Sequence, residues 1–157
     1  MKTILILSDT HGVKIKILAA VRRFPDVDMI LHLGDYSRDA DYIRTLTDKP
    51  VYNVRGNCDL GQTAEAELLL SVEGVKILLV HGHKQNVKTS LLGLSLYAQE
   101  KEVDVVLFGH THIPTEQYHQ DVLLYNPGSL GEPRGMRPTV GLMTVDQGAV
   151  RLSTIKL

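Results

Sequence analysis

Carboxylate, amide and imidazole side chains follow five short apolar segments of this sequence, at the point where each segment ends beside glycine. The segments are 4–7, 29–33, 51–54, 77–80 and 105–108, and the polar residues after them are Asp9 and His11, Asp35, Asn57, His81 and His83, and His110 and His112. Imidazoles gathered around two carboxylates conflict electrostatically unless a cation compensates the carboxylates and takes the imidazole lone pairs. The pattern therefore predicts a metal site, provided that the fold brings these segments together.

The ligand types narrow the choice of metal. Mixed oxygen and imidazole ligands without thiolates favour Mn, Fe, Zn, Co or Ni over calcium and over cysteine-rich structural zinc. The seven candidate ligands exceed the protein ligand set of one ion: Asp9, His11, Asp35, Asn57, His81, His110 and His112. Two ions that share a carboxylate, for which Asp35 is the candidate, account for this number. Ions about 3.5 to 4 Å apart are a known arrangement for in-line displacement at phosphorus.

Secondary structure must bring these residues together. The apolar segments are short, continuous and often β-branched, as buried strands are. Helical spacing occurs at Ile15, Leu18, Val21 and Arg22, at Ala40, Ile43 and Leu46, and at Val87, Leu91, Leu94 and Ala98. Strands that alternate with helices indicate an α/β fold. Because ligands of open α/β sheets gather at the carboxyl ends of strands, the five polar motifs are expected at one common site.

Other segments refine the predicted architecture. Residues 67–80, turning at Glu73-Gly74, and 140–155, turning at 146–148, read as antiparallel hairpins, so the sheet should be mixed. Residues 130–138 are rich in Gly, Pro and Arg and predict an irregular loop. The two-residue spacing within Asp9-Thr10-His11 and His110-Thr111-His112 would direct both side chains of each pair to one face of an extended segment.

The ordered motifs resemble a known family. They are Ser8-Asp9-Thr10-His11-Gly12, Gly34-Asp35, Gly56-Asn57-Cys58-Asp59, His81-Gly82-His83 and Gly109-His110-Thr111-His112. In this order they resemble the calcineurin-like metallophosphoesterase superfamily. Gly56-Asn57-Cys58-Asp59 and Asn126-Pro127-Gly128-Ser129 resemble its small bacterial and archaeal YfcE/MJ0936-like phosphodiesterase branch. The resemblance runs from Ser8 to about Ser129 and implies an αββα sandwich of two mixed β-sheets flanked by helices, with hydrolytic activity.

The resemblance also implies roles for individual residues. It assigns one metal to Asp9, His11, Asp35 and His112, and the other to Asp35, Asn57, His81 and His110. A hydroxide that bridges two divalent ions, Mn²⁺ first and Fe, Zn, Ni or Co as alternatives, would be the nucleophile. The expected substrate is a small phosphodiester.

Cys58 departs from the pattern, because many larger relatives have a histidine at this position that is thought to protonate the leaving oxygen. A thiol donates only weakly, so Cys58 is either a catalytic residue or a small buried one, and His83 or water is an alternative proton donor. Asn57, His83, Arg134 and Arg137, with backbone amides near Gly128 and Ser129, are candidate substrate contacts, although the arginines are also typical of solvated loop charges. His32 and His119 read as structural.

Composition limits the number of domains, the kinds of partner and the expected location. The 157 residues fit a single domain, 1–157, and a net charge of −1 gives no basic surface for extended nucleic acid or a membrane. One cysteine excludes an intramolecular disulfide, so the cytoplasm is the expected location. The first apolar segment is too short for a signal peptide, and no other segment approaches the length of a membrane span. The leucines between 91 and 96 belong to the core or to a homodimer interface.

Three functions compete. The first is a metal-dependent phosphodiesterase or phosphatase, indicated by the complete ligand set. The second is a protein-binding scaffold on the same fold, as in the phosphoesterase-like subunit of the retromer coat, which loss of a ligand or a large exposed apolar patch would favour. The third is a nuclease, which the absence of an evident basic groove disfavours.

Overall fold

Two five-stranded β-sheets form the centre of the protein in the computed structural model, which describes residues 1–134 and 137–157. The strands are β1 (Lys2–Leu7), β2 (Met29–His32), β3 (Val51–Asn53), β4 (Glu67–Val72), β5 (Val75–Val80), β6 (Val105–Leu107), β7 (Thr115–His119), β8 (Val122–Asn126), β9 (Thr139–Asp146) and β10 (Ala149–Lys156). One sheet has the order β10-β9-β1-β2-β3 and the other β4-β5-β6-β8-β7. All five strands predicted ahead of the polar motifs are present.

Each sheet mixes parallel and antiparallel pairs. β1, β2 and β3 are parallel in one sheet, as are β5, β6 and β8 in the other. The predicted hairpins are confirmed as β4–β5 and β9–β10, each antiparallel. A third hairpin, β7–β8, was not predicted, because the exposed residues of β7 give no apolar run.

Helices cover the outer face of each sheet. They are α1 (Lys14–Arg23), α2 (Arg38–Leu46) and α3 (Leu92–Glu100). Along β1, Ile4 and Ile6 point into the apolar layer between the sheets, whereas Leu5 and Leu7 pack with α1 and α2. A third cluster packs α3 against the second sheet. This order of layers confirms the αββα sandwich of two mixed sheets in a single domain.

The segment before α3 differs from the prediction. Helical spacing suggested a helix that includes Val87 and Leu91, but a 3₁₀ turn covers His83–Gln85 and α3 begins at Leu92. Asn86, with φ 57°, interrupts the chain, and the Ser90 hydroxyl accepts a hydrogen bond from the Leu92 N–H, 3.1 Å away, at the start of α3. Val87 and Leu91 still pack in the core, which is why they mimic a helical stripe.

The predicted irregular loop at 130–138 contains no helix or strand in its described residues, and Gly135 and Met136 lie outside them. Among the helices that the structure describes, none has the length and apolar character needed to cross a membrane.

Candidate metal centre

The carboxyl ends of β1, β2, β3, β5 and β6 meet at one edge of the sandwich, and all five polar motifs lie there. Backbone hydrogen bonds join the loops within each sheet, from Asp9 N–H to Gly34 O at 3.1 Å and from Gly109 N–H to His81 O at 3.0 Å. The His110 N–H donates to Asp9 Oδ2 at 3.1 Å and links the two sheets, so side chains from both converge.

The backbone at the site is left-handed rather than extended. φ is 51° at Asp9, 45° at His11, 51° at Asp35, 69° at His110 and 62° at His112. The prediction that each two-residue pair lies on one face of an extended segment was therefore wrong. Non-glycine residues in this region cost free energy, and such strain concentrates at functional sites. The tight turns direct Asp9 and His11 to the same point, but they send His110 and His112 to different groups.

The first group of potential ligands consists of Asp9, His11, Asp35 and His112. His112 Nε2 lies 3.1 Å from Asp9 Oδ1. His11 Nε2 lies 4.0 Å from Asp9 Oδ1 and 3.8 Å from Asp35 Oδ2. Two atoms that each lie about 2.1 Å from one ion are roughly 3.0 to 4.2 Å apart, depending on the angle between them. These separations therefore suit a shared divalent ion.

The second group consists of Asp35, His81 and His110. His81 Nε2 lies 3.4 Å from Asp35 Oδ2, the oxygen that also faces His11. Asn57 Oδ1 lies 3.0 Å from His81 Nε2 and could complete this set. Asp35 therefore stands between the two groups, as the expected bridging carboxylate would.

Each carboxylate uses one oxygen within the protein and leaves the other for the site. Asp9 Oδ2 accepts hydrogen bonds from the Ser8 hydroxyl at 2.6 Å and the His110 N–H at 3.1 Å. Asp35 Oδ1 accepts from the Cys58 N–H at 3.0 Å. Oδ1 of Asp9 and Oδ2 of Asp35 are the oxygens that face the imidazoles. The protein thus orients both carboxylates before any ion binds.

Two imidazoles are each oriented by a backbone carbonyl. Nδ1 of His81 lies 2.8 Å from Leu33 O, and Nδ1 of His112 lies 2.7 Å from Glu132 O. Because a carbonyl only accepts, each Nδ1 must carry the hydrogen, which leaves the Nε2 lone pair for a metal.

Electrostatics support the fit of a cation. Among the described side chains, Asp9 Oδ1 and His11 Nε2 are buried without a hydrogen-bond partner. Protonated His112 could donate a hydrogen bond to Asp9, which raises the pKa of His112. Burial works to lower the pKa of His81, but Asp35 and Asp9 outweigh it and the pKa is raised. The carboxylates thus draw positive charge into the site, which divalent ions would supply.

Cys58 is exposed, so the interpretation of a small buried residue was wrong. Its sulfur lies 3.7 Å from Asn57 Nδ2 at the rim of the second group. Burial of part of the thiol, together with the charge of Asp35, raises the pKa of Cys58 to about 11. The thiol is therefore protonated at neutral pH.

The other candidate substrate contacts are dispersed. The His83 ring lies 5.5 Å from that of His81 and 6.1 Å from that of His110, with Nδ1 buried and unpartnered among the described groups. Arg134 and Arg137 are exposed. The expectation for the amide of Gly128 was wrong, because Gly128 is buried and its N–H donates to Asn126 Oδ1 at 2.8 Å.

Two histidines lie outside both groups. His32 is fully buried and bonded to the Thr10 hydroxyl at 2.8 Å. His119 pairs with Gln117 at the end of β7, 3.2 Å away.

The sequence analysis quoted Asp59, Asn126 and Ser129 within motifs but assigned no supporting role to their side chains. The Ser129 hydroxyl donates to Asp9 O at 2.8 Å, and Asn126 Nδ2 donates to Gly109 O at 2.9 Å. Asp59 accepts hydrogen bonds from the N–H groups of Ser37 and Gly56, each at 2.7 Å. Asn126 ends the apolar run of β8 beside Pro-Gly, so the rule that placed the other motifs at the site could have placed its side chain there as well.

Fold and site together define a class of protein, an αββα sandwich with two adjoining groups of potential metal ligands at one edge. The calcineurin-like phosphoesterase superfamily domain matches residues 1–148. The chain is 34% identical to a probable metallophosphoesterase, YsnB, of Bacillus subtilis over 148 residues, which covers 93% of this chain and 86% of that protein. The chain therefore belongs to the calcineurin-like phosphoesterase superfamily, the metallophosphoesterase family that the motifs indicated.

Further comparisons agree on the fold. Phosphodiesterase MJ0936 of Methanocaldococcus jannaschii is 27% identical, over 93% of this chain and 95% of its own. A predicted phosphoesterase from Streptococcus pneumoniae superposes with a TM-score of 0.81 at 26% identity, covering 99% of this chain and 89% of the other. Vps29 from Entamoeba histolytica superposes with a TM-score of 0.78 at 21% identity over 99% of both chains, which shows the fold alone.

Proposed function

We propose that this protein is a phosphodiesterase that depends on two divalent metal ions and hydrolyses small phosphodiesters. The observation that carries the proposal is the position of Asp35, whose Oδ2 faces His11 at 3.8 Å on one side and His81 at 3.4 Å on the other. One carboxylate between two ligand groups suits two ions and not one. The similarity to a phosphodiesterase favours a diester over a monoester. Manganese is the proposed ion, and residues 1–157 the proposed domain.

The chain's residues have three tasks in this proposal. Asp9, His11, Asp35 and His112 would hold one ion, and Asp35, Asn57, His81 and His110 the other. When bound, the ions would neutralise phosphate charge and supply an activated water as the nucleophile. Ser8, Leu33 and Glu132 keep the ligands oriented through the hydrogen bonds described above. Orientation before binding lowers the cost of assembling the site.

The leaving oxygen needs a proton, and the rim of the site offers two sources. The Cys58 thiol is protonated and exposed beside Asn57, so it can donate a weak hydrogen bond. His83 is the other candidate, as its ring adjoins those of His81 and His110. Leaving groups of low pKa need neither, and we expect the protein to prefer them.

The direct test is hydrolysis of bis(4-nitrophenyl) phosphate by metal-stripped protein before and after addition of Mn²⁺, with 4-nitrophenyl phosphate in parallel. We expect Mn²⁺ to restore diester hydrolysis. His112→Ala should lower kcat/KM roughly a hundredfold or more, because it removes a ligand of the first ion. His119→Ala is the matched control, since His119 bonds only to Gln117 among the described side chains. Equal activity of both variants would refute the proposal.

A protein-binding scaffold is the second candidate. The observation in its favour is the pair Leu92 and Leu96, one turn apart on α3 and 58% and 56% exposed. The same assay separates the two functions. Silence toward every phosphoester with each of Mn²⁺, Fe²⁺, Zn²⁺, Ni²⁺ and Co²⁺ would favour the scaffold.

A further inference from the structure

A cavity of about 340 Å³ adjoins the loop that carries His110 and His112. Its lining residues are Val87, Lys88, Leu91, Phe108, Thr111, Ile113, Thr115 and Arg134. Thr111 lies between His110 and His112 in sequence, so the wall of the cavity and the metal-binding loop are one segment.

Four of the eight lining residues are apolar. Val87 and Phe108 are buried and form part of the core cluster under α3, and Leu91 packs against the same cluster. Ile113, which follows His112 in sequence, also lines the cavity and is 49% exposed. Such walls favour a ring or another flat apolar group, since burial of apolar area drives binding in pockets of this size.

Two cations border these walls. Lys88 and Arg134 both line the cavity, and the described residues include no carboxylate in its lining. Thr111, which lines the same cavity, lies in sequence between His110 of one ligand group and His112 of the other. Lys88 and Arg134 therefore share a cavity with the segment that carries both groups.

These charges exceed what a phosphodiester requires. A diester carries a single negative charge, which two divalent ions would neutralise. Lys88 and Arg134 therefore remain available for a second anionic group, and the apolar walls between them for the part of the substrate that carries it.

We propose that this cavity binds one ester group of the substrate, and that this group is an apolar ring bearing a further negative charge. The inference rests on the proposed phosphodiesterase function and deepens it by naming the substrate class. Lys88 pairs with the second charge, and Ile113 and Leu91 contact the ring. The anion is a carboxylate or a second phosphate, as both are recognised by lysine and arginine.

The test compares two diesters that differ by one carboxylate, phenyl 4-nitrophenyl phosphate and 4-carboxyphenyl 4-nitrophenyl phosphate, with Mn²⁺-loaded protein. Chromatography of both sets of products makes the result independent of which ester bond breaks. We expect kcat/KM to be roughly fivefold higher for the carboxylate, as for one charge-assisted contact near the surface. Lys88→Ala should bring the ratio of the two kcat/KM values close to one.

Control variants test whether the preference for the carboxylate arises in this cavity. Lys84→Ala removes the same charge from an exposed position four residues earlier, outside the lining of this cavity, and should keep the ratio. Ile113→Ser should lower kcat/KM for both diesters roughly threefold at unchanged metal content, whereas Leu96→Ser, on the exposed face of α3, should not. A ratio near one in the wild type, or an equal loss in Lys84→Ala, would overturn the inference and leave the phosphodiesterase function standing.

A binding measurement keeps the inference testable if neither diester is hydrolysed, the outcome that would contradict the proposed function. Calorimetry would compare 4-carboxyphenyl phosphate with phenyl phosphate as ligands of the Mn²⁺-loaded protein. Roughly fivefold tighter binding of the carboxylate, lost in Lys88→Ala, would support the cavity assignment. Equal affinities would overturn it.

Discussion

Acid should destabilise this protein through His32, a buried histidine between β2 and the metal-binding loops. The Gly34 N–H donates to Nδ1 of His32 at 3.3 Å, so the ring hydrogen lies on Nε2 and is donated to the Thr10 hydroxyl at 2.8 Å. Thr10 in turn donates to Asp39 Oδ2 at 2.6 Å. Protonation of Nδ1 would place a second N–H of the ring directly against the Gly34 N–H. Only the neutral imidazole fits this chain of hydrogen bonds.

The size of the effect follows from the pKa of His32. Burial lowers it to about 4, despite the charges of Asp39, Asp9 and Asp59, which favour protonation, while that of His81 opposes it. In the unfolded chain the ordinary value is about 6.5. The unfolded state therefore binds more protons between these values, so His32 contributes its full stability above about pH 6.5 and loses it as the pH falls toward 4. From pH 7 to pH 4.5 the loss is about 2 kcal/mol.

Urea unfolding of metal-stripped protein at several pH values would measure this loss. Stripping prevents the release of ions from contributing to the pH dependence. His32→Gln keeps a donor for Thr10 but does not titrate, so its free energy of unfolding should fall by about 2 kcal/mol less than that of the wild type over the same range. The comparison concerns the change with pH, so an overall loss of stability in the variant does not affect it. Identical pH dependence of the two proteins would refute the reasoning.

Three further predictions concern the metal centre. Asp35→Asn should leave fewer than one Mn²⁺ per chain by mass spectrometry after dialysis, whereas His11→Gln should retain about one, because Asp35 is the residue that the two groups share among the described residues. Two ions in Asp35→Asn would contradict the bridge. Gly109→Ala should weaken Mn²⁺ binding at least tenfold in calorimetric titrations, because a Cβ there would collide with Ser8 Oγ and Asp9 Oδ2. Unchanged affinity would contradict this prediction and show that the loop can move to accommodate the Cβ. Removal of ions by EDTA should lower the Tm in scanning calorimetry by roughly 10 °C, since ions present at about a thousand times their Kd stabilise the folded state by about 4 kcal/mol. An unchanged Tm would contradict binding of a metal by the folded state.

Much of the fold could be predicted because local sequence carries it. Continuous apolar runs that end at Gly mark the buried parallel strands, and Glu73-Gly74 marks a turn between two such runs. β7 escaped prediction because it lies at the edge of its sheet, where exposed side chains leave no apolar signature. The start of α3 was misplaced because Val87 and Leu91 are buried at helical spacing without being helical.

The sequence by itself determined the chemistry of this protein, the kinds of ligand and their places at strand ends, since these depend on residue identity and short-range order. Short-range order alone does not divide the ligands between two groups; the resemblance implied such a division, and only the tertiary structure gives its physical reason. His110 and His112 separate because their backbone is left-handed, and Asp35 lies between the groups because β2 neighbours β1 while the other sheet packs against both. Lys88 and Arg134 are 46 residues apart in sequence, and only the tertiary structure brings both to one cavity. Such groupings arise from packing between segments distant in the chain, and no local pattern of residues records them.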